Sequence, residues 1–321
     1  MSFIRLLTYV ALLFIPFFLF AEKRISVVCS AEKDSLPKSA KLDSIAIEMI
    51  NPVNSLKSID VELWYRSYQG ELPNSDKQTA STLYFRPSFS FSTSKGRNII
   101  LRATVPVNLR VPTYSYFAGV NNHNEYEDFT EWRIRQEGSS IRPDGDFYSV
   151  HSHMYDIGFD AAYGWTNDKN LFCMFGMAFE FPTSEDISGA RGQLLIGPEL
   201  SFGKIFSHGI FGCRLSHLTD IISSDSRIDY NTNLTDLRLF LAIGIGNGWQ
   251  VVSNSDMTFD WEGEVNNRLS IPLGAGIAKT FLFRNLALRS WVETSKYVTT
   301  PETFGPDLSV RFGITSSFIN F

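Results

Sequence analysis

After residue 21 the chain has no apolar run near the roughly 20 residues that a membrane-spanning helix needs, which excludes a polytopic helical membrane protein. Cysteine is scarce. Cys29, Cys173 and Cys213 make an odd set that implies no disulfide framework. There is no zinc-ligand spacing, no phosphate-binding loop and no dinucleotide fingerprint that follows a strand and opens a helix. Nor is there a cationic excess: the formal charge is -5, so a nucleic-acid partner is not expected. What the chain has in abundance is phenylalanine, 27 of 321 residues, within a 44% hydrophobic composition that is too apolar for a disordered protein. The mean hydropathy is nevertheless -0.06, so the apolar rings must be spread evenly among polar residues.

Residues 1–21 read as a secretory signal peptide: Arg5 is the early cation, Leu6 to Phe20 the apolar stretch, and Ala21 the small residue before Glu22-Lys23-Arg24. Cleavage there removes only Arg5 and takes the charge from -5 to -6. A retained anchor helix is the alternative, although the apolar run is short for a span. Cys29 follows Val27-Val28 where a lipidation site needs small residues.

Beyond residue 54 the hydrophobic period is two almost everywhere. Leu83, Phe85, Phe89 and Phe91 alternate with Tyr84, Arg86, Ser88 and Ser90, and Ile99, Leu101, Val105 and Val107 with Ile100, Arg102, Pro106 and Asn108. Similar alternation recurs from Ile59, Tyr155, Cys173, Leu194, Leu237, Met257, Leu269, Leu286 and Val310, with a weaker segment near Ile210 to Leu218, for about twelve strands. Tight connections (Ser94-Lys95-Gly96-Arg97, Asn167 to Asn170, Ser207-His208-Gly209, Gly246-Asn247-Gly248, Phe283-Arg284-Asn285) alternate with longer ones. One rim of short turns and one of longer loops predicts an antiparallel transmembrane β-barrel of the outer-membrane kind, over residues 54–321, in an outer membrane reached through the periplasm. The link from Gly263 to Asn267 is short for its rim. Residues 22–53 are expected to form a periplasmic lead-in or a small plug, with a short helix around Leu42, Ile45, Ile47 and Met49 broken at Asn51-Pro52. Phe318 or Phe321 would be the terminal aromatic read by the barrel-assembly machinery, with a bulge at Ser316-Ser317 if Phe321 takes that part. Residues 110–150 are expected to form a long external loop, folded inward as a constriction or standing outward as a binding surface, rich in Tyr114, Tyr116, Phe117, Tyr126, Phe129, Trp132 and Phe147.

The run Ile50-Asn51-Pro52-Val53-Asn54-Ser55-Leu56 resembles the opening of a family of outer-membrane barrels labelled as MetA-pathway phenol-degradation proteins or generic transporters. Further correspondences follow in order: Arg86-Pro87, Thr104-Val105-Pro106-Val107, Asp156-Ile157-Gly158, Phe181-Pro182-Thr183, Ile196-Gly197-Pro198, Ser216-His217-Leu218, Asp260-Trp261-Glu262, Ile271-Pro272-Leu273-Gly274 and Val310-Arg311-Phe312. The insert after Arg110 and the Ser316-Ser317 pair depart from the pattern. The resemblance implies a barrel of this size with a transport role and no defined substrate.

With the apolar face turned to lipid, the other face carries nearly all strand charges: Asp60, Glu62, Arg66, Arg86, Arg102, Asp156, Asp160, Glu180, Glu199, Asp236, Arg238, Asp256, Asp260, Glu262, Arg268, Arg289, Glu293 and Arg311. A charge facing hydrocarbon costs about 2–4 kcal/mol at mid-depth, so this segregation argues for lipid outside and water inside. Two readings follow. The charges either pair and fill a narrow barrel, or form a cationic ladder (Arg66, Arg86, Arg102) opposite an acidic one (Asp256, Asp260, Glu262) whose field selects solutes. Arg86, Arg102, Asp260 and Glu262 are the expected filter, as mid-strand residues, and Asp156, Asp160, Arg289 and Arg311 complete the lumen set. Trp64 and Trp291 have lumen parity and are candidates for ligand stacking, while the other aromatics suit interface girdles.

The expected function is a channel or transporter for small solutes, including hydrophobic or aromatic ones, without cofactor or metal. Surface adhesion through residues 110–150 is the alternative. A lipid-modifying enzyme is less favoured, because adjacent Ser216 and His217 point to opposite faces of a strand and cannot pair. His151 and His153 share a face but show no third ligand for a metal.

Overall fold

A computed structural model describes residues 38–94, 96–115, 145–151, 153–184, 191–223, 231–284 and 286–318. Residues 1–21, Cys29, most of the 110–150 insert and Phe321 lie outside these, and with them the signal-peptide and lipidation readings. One helix, α1 (Lys38–Glu48), precedes the strands β1 (Lys57–Gln69), β2 (Thr79–Ser94), β3 (Arg97–Ser115), β4 (Asp146–Val150), β5 (His153–Met154), β6 (Ile157–Thr166) and β7 (Leu171–Phe181). Seven more follow: β8 (Gln193–Phe206), β9 (Gly209–Ser223), β10 (Asn233–Gly246), β11 (Trp249–Asp260), β12 (Leu269–Phe283), β13 (Leu286–Thr299) and β14 (Gly305–Phe318).

Twelve of these strands close a ring in the order β2, β1, β14, β13, β12, β11, β10, β9, β8, β7, β6, β3, which returns to β2. All pairings are antiparallel, and β4 and β5 add to the outer part of β3. Closure leaves no open sheet edge, the condition for a sheet to sit in hydrocarbon. The Asn247-Gly248 turn shows why one rim is tight: φ is 54° and 77° at the two residues, the conformation that a two-residue hairpin needs and that Asn-Gly supplies at low cost. The link between β11 and β12, short as it is, falls on the opposite rim with the other long connections.

The alternation translates into two faces. Ile59, Val61, Leu63 and Tyr65 of β1, Phe85, Phe89 and Phe91 of β2, and Phe312, Ile314 and Phe318 of β14 are exposed on the outside; Phe89 at 48% and Phe312 at 47% are values normal for lipid contact and costly in water. The partners of these residues along each strand turn inward. β14 keeps one register with β1 from Ser309 to Phe318, so no bulge interrupts Ser316-Ser317, and Phe318 ends the strand on the outer face.

Residues 38–56 lie within the barrel at its tight-turn end. Ile47 and Val53 are buried among inward side chains of the wall, including Ile100, Phe172, Met174, Ile210, Phe240 and Val252. The Asn51-to-Leu56 motif has a local reason. Asn51 Oδ1 accepts the Val53 N–H at 3.1 Å, and Asn54 bonds both the Glu48 carbonyl and the Leu56 N–H, folding the chain back beneath α1. The wall then holds the turn, since Asn98 Nδ2 donates to the Val53 carbonyl at 2.6 Å and Ser90 Oγ to that of Asn54 at 2.7 Å. Glycine makes room for it. A Cβ at Gly164 would stand 2.9 Å from Val53 Cγ1. Gly313 does the same for Trp291, whose indole covers the position a methyl would take. Gly313→Ala is therefore expected to destabilise the barrel by about 1–3 kcal/mol through displacement of a buried indole, measurable as a lower urea midpoint in detergent.

Candidate functional site

Above the apolar layer around Ile47 and Val53, inward side chains become ionised. Across β3, β6, β8 and β9 four of them make a ring. Arg102 donates to Glu199, Arg214 donates from Nη2 to Glu199 Oε2 at 2.8 Å and to Asp160 Oδ2 at 3.0 Å, and Arg102 Nε lies 3.3 Å from the same Asp160 oxygen. These groups reach each other past β7 because β7 presents only Gly176 and Ala178 to the lumen at that height. Each carboxylate thus meets two guanidinium groups, the arrangement that offsets desolvation best.

A second network spans β10 to β14. Arg311 donates from Nη1 to Asp256 Oδ2 at 2.6 Å, from Nη2 to the Asn254 carbonyl at 2.8 Å and also to Glu293, while Arg238 binds the other oxygen of Asp256. Again the strand between is small: β12 turns Gly274 and Gly276 inward. The ladder between β11 and β12 is interrupted from Ser253 to Met257. Ser253 Oγ donates to the Gly274 carbonyl across the gap, and the Asn254 N–H goes instead to Glu293 Oε1 at 3.2 Å. The third group centres on Glu62, which lies 2.5 Å from Arg86 Nη1 and accepts Trp64 Nε1 at 2.6 Å.

These contacts revise the expected filter. Arg86 and Arg102 are inward, as is Arg66, but Arg86 faces Glu62 and Arg102 shares Glu199 and Asp160 with Arg214, so these charges meet nearby carboxylates and not an opposed acidic ladder. Asp260 is the last residue of β11 and Glu262 is exposed beyond it, so neither sits mid-strand; the strand ends sooner because the chain turns at Asp260, whose Oδ1 accepts the Glu262 N–H at 3.0 Å. Asp156 precedes β6 and ties a loop, accepting the N–H groups of Ser184, Arg191 and Gly192 at 3.1, 3.0 and 2.9 Å. Asp160, Asp256, Arg289 and Arg311 lie on the inward face of the wall. Trp64 is held between cations, with Arg86 5.8 Å and Arg311 5.0 Å from its ring, and Trp291 is buried against Gly313. Both rings are therefore already in contact with protein.

Arg214 is a charged lumen residue that sequence reasoning missed. Its strand has the weakest alternation of the set, because Gly209, Gly212 and Cys213 dilute both faces; the signal available was Ile210, Gly212, Arg214 and Ser216 on one parity. Ser216 does face the lumen and His217 the outside, where its Nδ1 lies 2.9 Å from Thr235 Oγ1. Of the aromatic insert, Tyr114 and Phe147 are packed with Tyr68, Leu72 and Phe304 at the outer rim.

No protein-family model matches the chain, and neither does any curated protein. Among solved structures it is similar to the COG4313 outer membrane channel from Pseudomonas putida F1, with 10% identity over 83% of this chain and 96% of that one and a TM-score of 0.53. It is more distantly similar to the NanC porin (10% identity, 82% and 100% coverage, TM-score 0.44) and to outer membrane phospholipase A from Escherichia coli (8%, 87% and 98%, 0.40). At such identities the likeness is one of fold, and it agrees with the closed ring and its apolar exterior: the chain is an antiparallel transmembrane β-barrel of the outer-membrane type.

Proposed function

We propose that the protein is a passive channel for small solutes, narrow at its tight-turn end and charged along its middle. The observation that carries this reading is the solvent contact of the ionised belt. Arg86, Arg214, Arg238 and Asp256 keep 21%, 25%, 37% and 23% of their side-chain surface open inside a closed wall, so the middle of the lumen holds water as well as side chains. A barrel filled only for stability would gain by replacing such groups with packed apolar ones. An acyl-transfer enzyme finds no support in Ser216 and His217, which lie on opposite faces.

Reconstitution in planar bilayers tests the reading. The folded protein is expected to give discrete current steps, and Arg102→Ala with Arg214→Ala is expected to shift the reversal potential in a salt gradient toward cations. That change leaves Asp160 and Glu199 unopposed, and a bare carboxylate pair favours cation entry. Absence of current from folded parent protein would overturn the proposal.

A further inference from the structure

Arg289 is a lumen arginine outside the ion-pair networks described above. Arg289 on β13 is only 9% exposed, yet it makes no ion pair among the described residues, and its one hydrogen bond there runs from Nε to Gln250 Oε1 at 3.3 Å. Neither Nη group makes a hydrogen bond among the described residues. Two more buried donors stand beside it without hydrogen-bond partners among the described residues, Gln250 Nε2 and Thr280 Oγ1. The barrel register brings them together, because Thr280 is directly opposite Arg289 across β12 and β13, and Gln250 is opposite Ala278, two residues along the same face of β12. Helix α1 roofs this corner: Asp43 accepts the Gly248 N–H at 2.6 Å, and Leu42 Cβ lies 3.6 Å from the place a Gly248 Cβ would occupy.

Three acidic groups face Arg289 from the surrounding strands, namely Asp60, Glu62 and Glu293. Glu62 is engaged by Arg86 and Trp64, and Glu293 by Arg311 and Asn254. Asp60, opposite Thr315 and accepting its hydroxyl at 2.6 Å, lies in the same row as Arg289, with β14 between them. A buried arginine beside an amide N–H and a hydroxyl on neighbouring strands is a set of donors in want of an acceptor, and leaving the buried amide and hydroxyl unmet is costly. A carboxylate matches this set, since a guanidinium takes it through two parallel hydrogen bonds.

We propose that Arg289, Gln250 and Thr280 form a carboxylate-binding site at the base of the lumen, so that the solutes the channel admits are small organic acids. The proposal rests on the channel reading and deepens it. Asp60 is a competitor within the wall that keeps the site weak enough to release its occupant, as conduction demands.

Binding is measured without current, by titrating sodium benzoate into the folded protein in detergent, with benzamide as the neutral isostere and inorganic phosphate as the rival oxyanion. The parent is expected to bind benzoate and not benzamide. Arg289→Gln is expected to weaken benzoate about tenfold or more, and Asp60→Asn to tighten it. Heat-modifiable electrophoretic mobility checks that each variant is folded, and if Arg289→Gln fails that check, the Asp60→Asn result decides. Equal benzoate affinity in the parent and Arg289→Gln, no benzoate binding by the parent, no tightening in Asp60→Asn, or stronger binding of phosphate than of benzoate would overturn the assignment. A protein that binds benzoate but passes no current overturns the channel reading alone, and one that passes current without binding benzoate overturns the site alone.

Discussion

Deletion of residues 38–53 should raise single-channel conductance several-fold. The segment puts Ile47 and Val53 into the lumen at the tight-turn end, where the inward wall residues Phe172, Met174, Ile210 and Phe240 are large and apolar and close around them. Buried apolar side chains fill that level, so in the proposed channel the resistance of the path would be concentrated there. The same deletion carries an opposing cost. It uncovers apolar side chains to lumen water at about 1.5–3 kcal/mol for each one fully exposed, so the wider channel should also unfold at lower denaturant. Conductance and the urea midpoint, read on one preparation, separate the two effects. A folded deletion variant with parental conductance would show that the constriction lies elsewhere, most plainly at the charged belt.

The second large effect is expected at Glu199. Its side chain is fully buried and accepts from both Arg102 and Arg214, so Glu199→Gln leaves two guanidinium groups with only Asp160 between them. Removing one partner from a buried ion pair costs about 3–5 kcal/mol, and the water that reaches Arg102 and Arg214 places this case toward the lower end. Lys296→Ala is the control. Lys296 pairs with Asp307 at the outer rim with 59% of its side chain exposed, and its loss should move stability by about 0.5 kcal/mol or less. Reversible urea unfolding into and out of lipid vesicles measures both. Equal, small changes would mean that the ring contributes nothing beyond a surface pair.

Much of this architecture is legible in the chain itself. The alternation through Leu83 to Phe91 and Ile99 to Val107 names β2 and β3 and tells their faces apart, because a strand has a period of two and the bilayer tolerates apolar groups on one side only. Asn247-Gly248 marks a hairpin by its chemistry, and Asn51-Pro52 ends a helix. The candidate site was less legible. Asp60, Arg86, Arg102, Asp256 and Arg311 are identified as inward by parity alone, yet parity also selects Asp260 and Glu262, which lie where the strand is ending. Where a strand stops depends on how its neighbours pair, and for β11 the last partners are Leu269 of β12, opposite Phe259, and Leu234 of β10, opposite Asp260.

The sequence by itself determined which residues meet lipid and which meet the lumen, since that choice is made one residue at a time by hydrophobicity and a period of two. Only the tertiary structure decided which charges meet one another. Arg102 finds Glu199 across 97 positions of chain, and Arg311 finds Asp256 across 55. Both contacts pass over strands that offer glycine to the lumen, Gly176 in one case and Gly274 and Gly276 in the other. The physical reason is that ring closure and register set the distances between strands far apart in the chain, and a small residue on the strand between sets whether two side chains can reach. The same closure sets Arg289 beside Gln250 and Thr280 and outside the ion pairs of the described residues, an arrangement that no local pattern in the chain announces.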